Sequence, residues 1–324
     1  MMERRSRRKE RRISFGRTKL KKERKMEKLG VTIYFGDLEK AKQNLKNLVS
    51  AGYRAVYFDS DFLNVPSLEQ LREVKRMVDD LPLEPFSIHN LQLFPEPEKK
   101  SESIISFQEE IFEKANLLGV KYLTGHFGWC KGMGEGDDFD FENFLKRNNM
   151  KLDDYRKKNI ETLKVLCQKA NAYGLSLTIE NLPIGCLADL DTTVENLLEI
   201  IRQVDEPNSG ICFDSGHSFI SGLNLYNEII KAGGELVETH FHDNIGRISD
   251  KNSINDMHQP AGIGKISWFE VIAALKKINF SHPVVFEIGC DEETLRINRD
   301  NWLRFFNLYQ TKFSKWDFGQ EYKQ

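Results

Sequence analysis

A chain of 324 residues is long enough to bury a large core, either as one α/β-barrel domain or as two smaller domains. With 40% hydrophobic and 30% charged residues, and no apolar run near the roughly 20 residues of a membrane-spanning helix, it is expected to be globular and to have no membrane partner. The 5 cysteines are odd in number and lack CxxC spacing, which predicts reduced thiols in a cytoplasmic protein.

The charge is distributed unevenly along the chain. Residues 1–28 hold 14 Lys and Arg against 4 Asp and Glu, a balance of +10, so the remainder carries −12. Because such basic blocks are usually disordered, we predict a basic leader over residues 1–28 and a single domain over residues 29–324. Two interpretations of the leader stay open: a nucleic-acid-binding or targeting segment, or an extension over residues 1–25 ahead of a natural start at Met26.

Short β-rich runs alternate with longer amphipathic segments from residue 31 to the end. The predicted strands are Val31–Phe35, Arg54–Asp59, Pro85–Asn90, Lys121–Phe127, Leu175–Asn181, Gly210–Asp214, Glu235–His242 and Pro283–Ile288. A helix is predicted after each: from Asp37 to about Ser50, from Ser67, over residues 101–118, 152–173, 192–204 and 223–232, from Ser267 to about Ile278, and over residues 292–315.

This alternation predicts the fold class. Parallel strands need crossover connections, and eight strand–helix units indicate an α/β fold of the (β/α)8 TIM-barrel type. An open doubly wound sheet is the alternative, and the absence of a Gly-x-Gly-x-x-Gly loop after the first strand disfavours it.

Ionisable side chains stand at the ends of strands three to eight. They are His89, His126, Glu180, Asp214 (with His217 three residues on), His240 with His242, and Glu287, while Asp256 and His258 follow in the loop after strand seven. In such barrels the strand ends form the active site. Carboxylates gathered there without a cation would repel one another, so the set predicts a bound divalent metal such as Zn²⁺, Mn²⁺ or Co²⁺.

The motifs around these residues resemble those of the xylose isomerase-like TIM barrels, a superfamily that includes sugar phosphate isomerases and epimerases and endonuclease IV. The resemblance covers roughly residues 29–315. It rests on Ile179-Glu180-Asn181, Asp214-Ser-Gly-His217, His240-Phe-His-Asp243-Asn244, Asp256-Met-His258-Gln-Pro-Ala-Gly262-Ile-Gly264 and Phe286-Glu287.

The resemblance implies a metal site and a reaction. In the sugar epimerases of this group a quartet holds one divalent metal, and the matching positions are Glu180, Asp214, His240 (or His242) and Glu287. A trinuclear zinc cluster in endonuclease IV uses further positions, which match His89, His126, His217, Asp256 and His258, so this chain could hold more than one ion.

On this basis we predict a cytoplasmic isomerase or epimerase of a sugar or sugar phosphate that uses Mn²⁺, Mg²⁺, Co²⁺ or Zn²⁺ and a metal-stabilised enediolate. Glu180 and Glu287 would move the substrate proton, while Asp214 and His240 would mainly hold the metal. Trp129 and Arg247 are candidate substrate contacts, as are the additional histidines; Arg247 is equally well explained as a solvated loop cation.

An endonuclease IV-like zinc enzyme that cleaves DNA at abasic sites is the alternative, and only then is nucleic acid an expected partner. The balance of −12 outside the leader opposes DNA binding. Strand one reads Gly30-Val-Thr32 where that enzyme has Gly-x-His, and strand seven is followed by His-Asp-Asn-Ile-Gly-Arg where it has Asn-Asp-Ser-Lys. A non-catalytic sugar-binding barrel is a third hypothesis. A homo-oligomer is compatible with all three, and the sequence does not identify the sugar.

Overall fold

The computed structural model of the protein describes residues 28–90, 93–94, 101–129, 140–186, 190–246 and 256–313. The predicted leader, apart from Lys28, and Arg247 lie outside these ranges. The strands are β1 (Leu29–Ile33), β2 (Ala55–Phe58), β3 (Glu84–His89), β4 (Tyr122–His126), β5 (Ser176–Glu180), β6 (Ser209–Asp214), β7 (Leu236–His240) and β8 (Val284–Phe286).

The strands form one parallel sheet that curls into a barrel. Each strand pairs with its neighbours in chain order, and β1 also pairs with β8. Phe241, just after β7, joins the two remaining edges: its N–H donates to the Val285 carbonyl and its carbonyl accepts from the Glu287 N–H, both at 2.9 Å. The prediction of a (β/α)8 TIM barrel is confirmed.

Helices surround the barrel. In the described chain they are α1 (Leu38–Ser50), α2 (Asp61–Asn64), α3 (Leu68–Asp79), α4 (Ser101–Leu118), α5 (Phe141–Arg147), α6 (Leu152–Asn171), α7 (Val194–Val204), α8 (Ser215–Ile220), α9 (Leu225–Ala232), α10 (Trp268–Lys277) and α11 (Glu292–Leu308). Helices α2, α5 and α8 were not predicted, because helices of 4 to 7 residues are too short to show a helical period. None of the helices in these ranges is long and apolar enough to cross a membrane.

Two of the residues predicted to start helices cap them with their side chains. Asp37 accepts a hydrogen bond from the Lys40 N–H at 2.7 Å, and Ser67 forms a reciprocal capping box with Gln70. The helix predicted from Ser267 to about Ile278 is also found, with these residues at its two cap positions, but the Ser267 side chain makes no capping hydrogen bond.

The last helix also ends earlier than predicted. α11 stops at Leu308 and is followed by a π-helical turn over Tyr309–Phe313, and residues 314–315 lie outside the described ranges.

The barrel interior is built in layers. Near the N-terminal ends of the strands, Ala55, Tyr57, Phe86 and Val285 form a small apolar cluster. Alternate residues of a strand share a face, so side chains two positions apart stack along the barrel axis. A separate and larger apolar core lies between the sheet and the helices. The interior therefore supports the strand ends from below with tightly packed, immobile groups.

Candidate metal centre

Strand register brings the predicted polar residues to one end of the barrel. His126 is aligned with Glu180 across β4 and β5, and Asp214 with His240 across β6 and β7. Glu287 follows β8 directly. The first four of these side chains are buried, and Glu287 is partly exposed, so the cluster opens to solvent on the side of β8.

Four of these residues form a central group. One ligand atom from each of Glu180, Asp214, His240 and Glu287 lies within 4.8 Å of the other three. His240 Nδ1 is 3.0 Å from Oε2 of Glu180 and 3.6 Å from Oε2 of Glu287. These contacts are close but not oriented as hydrogen bonds, and His240 Nδ1, Glu180 Oε1 and Asp214 Oδ2 have no hydrogen-bond partner among the described residues.

This donor set fits a divalent cation. Buried polar atoms almost always have partners, so three unsatisfied atoms facing one small volume need an explanation. Carboxylate oxygens together with an imidazole nitrogen suit Zn²⁺, Mn²⁺ or Co²⁺. A cation held among them would satisfy all three atoms at once.

Of the two histidines left open as a ligand, His240 belongs to the central group, whereas His242 lies on the other side of Asp214. His242 Nε2 lies 3.1 Å from Asp214 and 3.5 Å from Asp256, and its ring stacks on His258 with centroids 4.2 Å apart. The ring occupies the space above Gly216. A Cβ atom added at Gly216 would lie 1.8 Å from the imidazole, so only glycine fits there.

A second group lies beside Glu180. His89 Nε2 is 3.4 Å and His126 Nδ1 is 4.0 Å from Oε2 of Glu180, and the three residues could ligate an ion together. Burial lowers the pKa of His126 to about 3. Its ring is therefore neutral near pH 7, the form in which an imidazole binds a metal.

A third group lies on the other side of Asp214, at the outer edge of the barrel. His217 donates Nδ1–H to the Asn181 carbonyl at 2.8 Å, and His258 donates Nδ1–H to the Glu287 carbonyl at 2.9 Å. Both rings consequently present Nε2 to Asp256, at 3.1 and 2.9 Å. A backbone carbonyl that fixes the tautomer in this way is typical of metal-binding histidines.

The ionisation of the cluster reflects its crowded charges. Burial alone would raise the pKa of Glu180, but the neighbouring His240 holds it well below its ordinary value. Burial opposes protonation of His240, yet the carboxylates of Glu180 and Glu287 beside it raise its pKa well above the ordinary value. In the metal-free chain the His240 ring thus holds a proton that a bound cation would displace.

The loop that carries Asp256 and His258 is fastened to the barrel through Asp243. The Asp243 carboxylate is fully buried and accepts hydrogen bonds from three backbone N–H groups and one indole N–H, at 2.7 to 3.0 Å. Trp268 is the indole donor and is itself buried in the core. Asp243 therefore fixes the position of Asp256 and His258 in the third group without being a member of that group.

The remaining sequence predictions have mixed outcomes. Trp129 is half-buried, and its ring lies 6.1 Å from that of His126, at the edge of the cluster. The position of Arg247 is not described. Three further residues, Glu238, Asp243 and Cys212, are buried near the site and were not predicted to have a role there. Strand alternation could have found Glu238 and Cys212, which precede His240 and Asp214 by two positions.

The sequence model of a family described as xylose isomerase-like TIM barrel matches residues 45–305. Two uncharacterized proteins of Methanocaldococcus jannaschii are 32% and 26% identical, over 40% and 59% of this chain, and the alignments span 42% and 64% of those proteins. An inosose isomerase of Bacillus velezensis is 24% identical over 76% of this chain and 82% of its own. A probable endonuclease 4 of Methanoculleus marisnigri is 25% identical over 53% of this chain and 57% of its own.

Solved structures share the fold at low sequence identity. L-ribulose 3-epimerase superposes with a TM-score of 0.67 and 15% identity, over 87% of this chain and 95% of that one. The IOLI protein, whose structure contains a zinc atom, gives a TM-score of 0.65 and 19% identity over 86% and 98% of the two chains.

Proposed function

The chain belongs to the xylose isomerase-like TIM-barrel family, and from that premise we propose that it is a divalent-metal-dependent isomerase or epimerase of a sugar or sugar phosphate that acts through an enediolate. One observation carries the proposal: the ligand atoms of Glu180, Asp214, His240 and Glu287 converge within 4.8 Å at the barrel mouth. Two of the similar proteins, inosose isomerase and L-ribulose 3-epimerase, are named for sugar chemistry.

Asp214 and His240 are the residues that would mainly hold the metal. Both are fully buried, and the His240 ring packs on Tyr57 with centroids 4.4 Å apart, which fixes its orientation. The Asn181 side chain bonds both backbone groups of Asp214, at 2.8 and 3.1 Å. When bound, Mn²⁺, Mg²⁺, Co²⁺ or Zn²⁺ would supply Lewis acidity that polarises a substrate carbonyl and acidifies the adjacent C–H.

Glu180 and Glu287 move the proton between substrate carbons. They stand on β5 and after β8, separated by two strands, and each places one carboxylate oxygen against His240 Nδ1. Glu180 is a fully buried carboxylate with two oxygens, so one can face the metal while the other takes a proton from carbon. One carboxylate removes a proton from carbon and becomes a carboxylic acid. The other starts as the carboxylic acid, gives its own proton to the same or the neighbouring carbon, and exchange with solvent restores both groups.

The surroundings of the pair suit a small hydroxylated substrate. His89 and His126 line the Glu180 side and can hydrogen-bond hydroxyl groups, while Trp129 covers His126 at the edge. A buried, largely polar wall of this kind favours a ligand that carries several hydroxyls. Sugars and sugar phosphates are such ligands.

Exchange of substrate C–H with deuterium tests the proposal whichever sugar is the substrate. The metal-loaded protein is incubated in D₂O with a panel of ketoses, aldoses and their phosphates, and deuterium incorporation is followed by NMR. We expect exchange at a carbon next to the carbonyl in at least one sugar, and none in Glu180→Gln. His282→Gln is the matched control, since His282 contacts Tyr122 at the opposite end of the barrel. Near-normal exchange in Glu180→Gln would exclude the proposed role of this carboxylate.

An endonuclease IV-like activity is the second candidate, and a specific observation favours it. Potential metal ligands lie on both sides of the central group: His89 and His126 on one side, and His217 and His258 on the other. The balance of −12 outside the leader argues against a DNA-binding surface.

Metal analysis and a DNA assay separate the two functions. Elemental analysis that finds about three zinc ions per chain would favour the nuclease, whereas about one manganese or magnesium ion would favour the isomerase. Incision of a duplex with a single abasic site by the metal-loaded full chain, together with no deuterium exchange in any sugar, would establish the nuclease in its place.

A further inference from the structure

Beneath the central group lies a carboxylate that the proposed reaction does not use. Glu238 is on β7, two residues before His240, and is fully buried inside the barrel. Thr124 and Thr178 donate hydrogen bonds to its Oε2, at 2.5 and 3.1 Å. Because both hydroxyls donate to Oε2, the other carboxylate oxygen, Oε1, points away from them and toward the barrel mouth.

Oε1 of Glu238 and Nε2 of His240 face each other. They are 3.6 Å apart, a few tenths of an ångström beyond hydrogen-bond length. Neither atom has another hydrogen-bond partner among the described residues, and both side chains are fully buried. One atom can donate a hydrogen bond and the other can accept it, and buried polar atoms are rarely left without such a bond.

We propose that Glu238 is a positioning residue, whose Oε1 accepts the Nε2–H of His240 and so presents Nδ1 of that ring to the metal. The inference rests on the proposed function only in taking His240 as a metal ligand. An imidazole has two nitrogens, and the proton on one leaves the lone pair on the other. A carboxylate behind the ring selects Nδ1, the atom that lies between Glu180 and Glu287.

The thiol of Cys212 is the competing partner, because it also lies close to His240. Cys212 is aligned with Glu180 on one side and with Glu238 on the other, so it stands between the two carboxylates. A thiol is a weak hydrogen-bond acceptor, and burial raises the pKa of Cys212 well above its ordinary value, which keeps it neutral. Cys212→Ala is therefore the matched control for a variant of Glu238.

Glu238→Gln is the informative substitution. It preserves the shape of the side chain, and its amide oxygen can still accept from Thr124 and Thr178. The NH₂ group then faces His240 Nε2 and donates to it, which moves the ring proton to Nδ1 and blocks the metal-facing atom.

The test uses Zn²⁺ alone and no sugar. In the Zn²⁺-loaded wild-type chain, long-range ¹H–¹⁵N NMR, with His240→Asn to assign the signals, should show Zn²⁺ on Nδ1 and a protonated Nε2. Competition with a chromophoric chelator should show that Glu238→Gln loses about ten-fold or more in Zn²⁺ affinity, while Cys212→Ala stays close to wild type. Far-ultraviolet circular dichroism verifies that the variants fold.

Each outcome bears on the inference separately from the proposed function. Zn²⁺ on Nε2 of His240 in the wild-type chain, or no Zn²⁺ on this ring, overturns the role of Glu238, and this result needs no variant. Unchanged affinity in a folded Glu238→Gln overturns it too, even if sugars are converted. Loss of affinity in Glu238→Gln, with no sugar converted by the wild-type chain, supports the role of Glu238 and leaves the isomerase proposal refuted.

Discussion

Replacing Asp243 with asparagine should destabilise the protein out of proportion to the size of the change. Oδ1 of Asp243 accepts from the N–H groups of Asn244 and Ile266, at 2.8 and 3.0 Å. Oδ2 accepts from the N–H of Gly262 at 2.7 Å and from Nε1–H of Trp268 at 2.9 Å. The four donors surround one carboxylate with no exposed surface.

The magnitude follows from counting donors. Asparagine keeps one oxygen, which can serve two of the four N–H groups, and its NH₂ group faces the other two. Each buried donor left unsatisfied costs about 1 to 3 kcal/mol, so we expect Asp243→Asn to lower the free energy of unfolding by about 2 to 6 kcal/mol. The loop over residues 256–268 would lose its attachment, and with it the position of Asp256 and His258.

Urea unfolding of the chelator-treated chain measures this change, followed by circular dichroism and by tryptophan fluorescence to check that the two transitions coincide. Asp37→Asn is the matched control. Asp37 caps α1 from an exposed position, and asparagine caps as well as aspartate, so its effect should be near zero. Equal stabilities of the two variants would refute the assigned role of the buried carboxylate.

Two further outcomes are expected. Gly216→Ala should displace His242 from Asp214, because the new Cβ would lie 1.8 Å from the ring, and should lower the free energy of unfolding in urea by about 1 to 3 kcal/mol. Gly234→Ala is the control, since a Cβ there has nothing within 4 Å, and should leave stability unchanged. Equal effects of the two substitutions would contradict the packing argument. In the metal-free chain, His126 is neutral down to about pH 3 when folded but takes a proton below about 6.5 when unfolded. The contribution of His126 to stability is therefore complete above pH 6.5 and is lost as the pH falls. Below pH 6.5 the free energy of unfolding of the wild-type chain should fall more steeply than that of His126→Gln, by up to about 1.4 kcal/mol per pH unit. Parallel pH profiles of stability would contradict this assignment.

The fold could be predicted because its signals are local and repeated. Every predicted strand overlaps an observed one, and the residues at their ends include Glu180 of β5 and Asp214 of β6. The features that were not predicted depend on contacts between segments that are distant in the sequence. Ser267 stands at the start of α10 as predicted, but the sequence does not show that its side chain makes no capping bond or that the preceding Ile266 N–H is bound to Asp243.

The site was predicted as a ring of residues but not as three groups. His240 and His242 share a strand face in the sequence pattern, so periodicity could not separate them. In the structure β7 ends at His240, and the backbone of His242 is bound on both sides by the Ser215 hydroxyl, at 2.9 and 3.0 Å. That contact with another strand end turns His242 toward Asp256, and no pattern within one segment contains it.

The place of β8 in the barrel also bears on how the chain folds. The central group takes Glu180 from β5 and Glu287 from beyond β8, so it exists only once β8 has joined the sheet. β8 pairs with β1, from the other end of the described chain, and contacts this far apart in sequence form late because a long loop must close first. A cation bound in the central group would link β8 to β5, β6 and β7, and its binding free energy would add directly to that of folding. Metal supply would then govern how long the barrel stays closed as well as whether it is active.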